Sequence, residues 1–143
     1  MKKLFILIFL AVLVSVGCSN DEVKPSEDSL LAARAIDSIN SIKTAYENKS
    51  KANLKNRLSP ELAEKTLNEL SFIKAELSLT SRMVTIEESS VKLNMNWHGT
   101  WLVSKGSELE NRGTADLILD KETMKLLSIE GDDPFSVPLL RTH

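Results

Sequence analysis

Near residue 72 the apolar repeat of this chain changes from three-and-four to two. Upstream, Ala32, Ala35, Ile36, Ile39, Ile42 and Tyr46 recur at helical spacing and form one face. Arg34, Asp37, Asn40, Lys43 and Glu47 fall mostly off it, so the spacing predicts a helix over 27–48. Ser26 is its expected N-cap, with Glu27 and Asp28 in the first turn, where the helix dipole favours acids. A short helix over 51–58 carries Leu54 and Leu58 on one side. Ser59 and Pro60 then signal the start of a third helix over 60–70, with Leu62, Ala63, Leu67 and Leu70 as its apolar side.

Downstream, alternation predicts strands. Ile73, Ala75, Leu77 and Leu79 take one face of the first, which bends near Ser81-Arg82 and runs on to Ile86. In "VKLNMNWHGTWLV", Val91, Leu93, Met95, Trp97, Gly99, Trp101 and Val103 share a face. Lys92, Asn94, Asn96, His98 and Thr100 share the other, the pattern of an antiparallel strand buried on one side. Gly99 in its middle suggests a bend or bulge. Leu109, Gly113, Ala115, Leu117 and Leu119 form the inner face of a third strand, which Asn111 interrupts. A turn over Asp120–Thr123 leads to a last strand from Met124 to Glu130, whose consecutive Leu126 and Leu127 leave its inward face open. Phe135, Val137, Leu139 and Leu140 make the tail apolar enough to pack. Helices first and strands second imply an α+β fold: three N-terminal helices packed on one face of a curved four-stranded antiparallel sheet.

The N-terminus speaks to location. After Lys2 and Lys3, an uncharged apolar run extends over 13 residues, Leu4 to Val16. As a helix it reaches roughly 20 Å, against roughly 30 Å of hydrocarbon core, so it has the length and flanks of a signal peptide. The run stops at Cys18, the chain's single cysteine. Ser15-Val16-Gly17-Cys18 resembles the lipobox of bacterial lipoproteins, with Ser15 where Leu is commonest. The resemblance implies a signal peptide over 1–17, a diacylglyceryl group on the Cys18 sulfur, cleavage before Cys18 and further acylation by a palmitate-class chain. Two or more acyl chains hold stably, at about 0.8 kcal/mol per buried methylene. The same resemblance, with Ser19 rather than Asp after the cysteine, implies the cell envelope, on the periplasmic side of the outer membrane where the host has two membranes. The competing reading is an incidental free cysteine at the end of an uncleaved anchor. Residues 18–29 are polar, contain Pro25 and read as the lipidated cysteine and a tether, whose ten or so residues reach about 35 Å at full extension.

Without the leader, 126 residues remain, enough for a single domain over 30–143 with a small core. They carry 16 basic and 20 acidic residues, a formal charge of −4 without a basic stripe, so a nucleic-acid partner has little support. No second cysteine is present for a disulfide, and no later apolar run approaches a membrane span.

Chemistry is sparse. His98, Glu110, Arg112 and Asp116 fall on the polar face of the middle strands, and the only other histidine is His143, so a metal site is not expected. Glu110 and Arg112 read as surface pairs. Lys49, Lys51, Lys55 and Arg57 are either a solvated face or a contact for anionic lipid. Trp97, Trp101 and Met95 are the candidate ligand-cavity residues, the two indoles being about 13 Å apart along the strand. Core packing is the competing reading of all three. No catalytic residue and no cofactor other than the lipid on Cys18 is expected.

The order of elements and the Trp-bearing bent strands resemble the cone-shaped fold of nuclear transport factor 2 and ketosteroid isomerase, also called cystatin-like, over about residues 27–135. The run from Arg112 to Phe135 resembles envelope proteins of this type, which implies no activity. Cones of that family often hold a cavity, and some members catalyse with Asp or His inside it. The face predicted to point inward here carries Leu93, Met95, Trp97 and Trp101 and no acid or base. Three functions stay open. The first is a membrane-anchored, non-enzymatic binding or assembly module that meets an envelope protein or a small apolar ligand through its cavity or sheet face. The others are an isomerase- or dehydratase-like enzyme and a purely structural envelope lipoprotein.

Overall fold

The computed structural model describes residues 24–138. The expected leader, Cys18, the tether as far as residue 23, and Leu139, Leu140 and His143 lie outside the described residues. Helix α1 spans Glu27–Glu47, α2 Lys51–Arg57 and α3 Pro60–Asn68. Four strands follow: β1 (Lys74–Ile86), β2 (Ser90–Ser104), β3 (Ser107–Asp120) and β4 (Leu126–Gly131). They form one antiparallel sheet in sequence order, curved and unclosed, and α1 lies across β1 and β2. The fold is α+β.

Ser26 caps α1 as expected, its hydroxyl accepting from the Ser29 N–H at 3.1 Å. Leu31, Ala35, Ile39, Ile42 and Tyr46 bury one stripe of the helix against the sheet. Each large aliphatic side chain so buried contributes about 1.5–3 kcal/mol. The helix ends where Lys49 turns left-handed, at φ 52°, and the Ser50 N–H reaches back to the Ala45 carbonyl at 2.8 Å. Ser59 joins helices to sheet. Its hydroxyl accepts from the Leu62 N–H at the start of α3 and donates to the Leu127 carbonyl, while its N–H donates to the Leu126 carbonyl at 2.8 Å.

Three places depart from the sequence reading. Ile73 is 57% exposed and precedes the strand, while Phe72 takes the core position. Tyr46 packs on the Phe72 ring at 5.0 Å and the Lys49 ammonium holds the Phe72 carbonyl, so alternation begins only at Lys74. Gly99 is not a bulge, since it pairs in register with Leu77 and Asn111. An added Cβ there would lie 2.3 Å from the Trp101 ring and 2.7 Å from Leu77, so the glycine makes room for an indole. The last strand begins at Leu126, because Met124 closes the preceding turn at φ 55°. Leu126 points inward and Leu127 is the extra residue of a bulge, which explains the blurred alternation. The bend expected at Arg82 is a bulge of the same kind.

Candidate functional site

The concave side of the sheet meets α1 in an aromatic interior. Met95, Trp97 and Trp101 project into it from β2 with exposures of 3%, 4% and 0%. The two indoles lean together, with ring centroids 6.4 Å apart and planes at 87°, an edge-to-face contact. Each indole N–H has a dedicated acceptor. Trp101 Nε1 donates to the Tyr46 hydroxyl at 3.0 Å, and Trp97 Nε1 donates to the Asp132 carbonyl at 2.7 Å. Burial is the main cause holding the Tyr46 phenol far above its ordinary range; the bond from Trp101 opposes the shift, and Glu69 and Asp133 add to it. The phenol therefore stays neutral. Among the described residues no buried side-chain nitrogen or oxygen lacks a partner.

The segment after β4 closes this interior. Gly131, at φ 93°, turns the chain back along β3, where the Asp132 N–H donates to the Thr114 carbonyl and the Thr114 N–H to Asp132 Oδ2. Asp132 rests directly over Gly113, where an added Cβ would lie 2.5 Å from its own. Phe135 then packs edge-on against Tyr46 at 5.4 Å with 1% exposure. Lys65 of α3 pairs with Asp133 at 2.8 Å, and Glu69 accepts the Val137 N–H at 3.1 Å. Residues 132–137 are thus a strap between β3 and α3. The sequence signalled an apolar tail; Gly113 read only as a member of the inner face of its strand, not as the seat of Asp132.

On the convex side, polar side chains answer one another across strands. Asn94 donates to Asp116 at 2.6 Å, Thr114 to Asn96 at 3.1 Å, and Lys92 lies 3.7 Å from Asp116 and 3.6 Å from Glu130. His98 meets Glu110 at 2.7 Å, so the histidine rather than Arg112 is the partner of that carboxylate. Among the described residues no three His, Cys, Asp or Glu side chains gather as metal ligands, and no helix is long and apolar enough to cross a membrane.

The basic cluster is divided by the structure. Lys49 turns in over the Phe72 ring at 4.9 Å, whereas Lys51, Lys55 and Arg57 remain exposed. Arg57 borders a polar groove between α1 and α2, which the sequence showed only as the outer faces of two helices.

No family model matches the sequence, and no curated protein matches it. Among solved structures, the fold is similar to that of a nuclear transport factor 2 (NTF2-like) superfamily protein from Salmonella enterica subsp. enterica serovar Typhimurium str. LT2. The TM-score is 0.62 at 11% identity, covering 81% of this chain and 99% of the other. The likeness is one of fold, and the fold is NTF2-like.

Proposed function

We propose that this chain is a lipid-anchored envelope protein whose NTF2-like domain acts as a non-enzymatic binding or assembly module. The observation that carries the second half is the filled interior. General acid–base work there needs a carboxylate, imidazole or free hydroxyl within reach of a substrate. The group at that place is Tyr46, which is fully buried, kept neutral and already engaged by Trp101. Recognition then belongs to the outer surface of the domain, at the end of the tether that follows Cys18. The anchor rests on the lipobox resemblance and on the uncharged, mostly apolar run of 13 residues from Leu4 to Val16.

Intact mass spectrometry of the protein drawn from native membranes in mild detergent tests both halves. A mass matching residues 18–143 plus acyl groups is expected, together with a retained partner or ligand under native conditions. An unlipidated full-length mass removes the anchor. Retention of neither partner nor ligand, repeated in a pulldown, removes the binding role. Cys18→Ala should block lipidation and leader removal by the lipoprotein route.

A further inference from the structure

We propose that the groove across α1, α2 and the β3–β4 turn binds a small oxyanion, a carboxylate or phosphate borne on a polyhydroxylated frame. The proposal rests on the binding-module reading and gives that module a site and a ligand class. Two concavities of about 690 and 500 Å³ run along the outside of α1. Both are bordered by Asp37, Ser41, Asn53 and Arg57, so they adjoin one another along the same helices. Their size suits a sugar-sized molecule.

Charge in the groove runs opposite to that of the chain. The whole sequence is −2, yet the groove gathers Arg34, Arg57 and Lys125 against the single acid Asp37. Arg34 is steered into place by donating to the Glu122 carbonyl at 3.3 Å. Among the described residues, Arg57 and Lys125 enter no ion pair. A guanidinium fork left open in this way matches two oxygens of one carboxylate or phosphate.

The neutral lining points to the frame that carries the anion. Asn40, Asn48, Asn53 and Asn56 border the groove, and their amide groups make no hydrogen bond within the described residues. Amides of this kind present donors and acceptors together, which is what ligand hydroxyls require. The convex sheet face, equally polar, has Asn94 and Asn96 already bound to Asp116 and Thr114. The floor is firm: the buried Ser38 hydroxyl donates to the Met124 carbonyl at 2.7 Å and ties α1 to the turn that supplies Lys125.

The test is an amide chemical-shift titration of the full chain in micelles with glucose 6-phosphate, glucuronate and uncharged glucose. Shifts confined to Asn40, Asn53 and Arg57 are expected with at least one anionic sugar, and which one responds separates phosphate from carboxylate. Arg57→Gln should weaken that binding about tenfold, the loss of one charge-assisted contact, with sheet amides unmoved. Absence of groove shifts with both anionic sugars overturns the proposal, as does equal binding of glucose or full binding by Arg57→Gln. If those results coincide with a ligand or partner retained in the native mass spectrum, this inference falls and the binding-module reading stands.

Discussion

The inside of the cone and the groove across its helices both contain polar groups, and they treat them in opposite ways. Inside, among the described residues, each buried side-chain polar atom has a partner, as Trp101 has in Tyr46 and Trp97 in the Asp132 carbonyl. Low dielectric makes an unpartnered group there expensive, so the interior is matched throughout and serves stability. In the groove, four asparagine amides and Arg57 have no partner among the described residues, because water meets them at little cost. On the proposed reading, recognition falls to the exterior of the cone.

Substitutions separate the two regions. Trp101→Ala should be the most damaging, because it removes a fully buried indole and strands the Tyr46 hydroxyl. A loss of about 3–5 kcal/mol is expected in denaturant unfolding. Gly113→Ala should cost about 1–3 kcal/mol, since the new methyl collides with Asp132 and unseats the strap. If Gly113→Ala were neutral, the strap would not be a fixed closure of the interior.

A titration probes the wall that the groove shares with the β3–β4 turn. Asp120 accepts from the Thr123 hydroxyl and N–H, both at 2.7 Å, and from the Glu122 N–H at 3.2 Å. The Thr123 hydroxyl bond, then its backbone bond, holds the Asp120 carboxyl below its ordinary 3.8. A depressed acid stabilises the fold above its unfolded pKa and loses that contribution as pH falls through the folded value. The turn should therefore loosen only below about pH 4, seen as faster amide exchange at Thr123, and Asp120→Ala should show the loosening already at neutral pH. Exchange that is insensitive to both changes would detach the turn's order from Asp120.

The smallest effects should distinguish two polar surfaces. Asp116→Ala deprives Asn94 and Lys92 of a partner on the convex face, at about 1 kcal/mol. Asn53→Ala in the groove should stay within about 0.5 kcal/mol, having no partner to lose. Equal losses would erase the distinction between matched and unmatched polar surfaces.

Periodicity made much of the fold legible. The stripe from Ala35 to Tyr46, the Ser26 and Ser59 caps and the alternation of β2 are local patterns, and each was read from neighbours in sequence. The failures fall where distant residues decide. Phe72 displaces Ile73 because Tyr46 and Lys49 hold it. Position 99 is a glycine because Trp101 needs its space, and Leu126 faces inward because Leu127 is bulged out. Trp97, Trp101 and Met95 were legible as one inward face, but not the ring-to-ring packing or the strap that covers them. The groove was illegible for a simpler reason: Asp37, Asn40 and Asn53 resemble any solvated helix face until α2 folds back beside α1.

The most direct measurement is acrylamide quenching of tryptophan fluorescence in the full chain, because Trp97 and Trp101 are its only two indoles and both belong to the cone. Blue-shifted emission with weak quenching, unchanged when an anionic sugar fills the groove, is the expected result. Strong quenching, or emission that shifts when ligand binds, would mean that the cone is open and that recognition happens inside it.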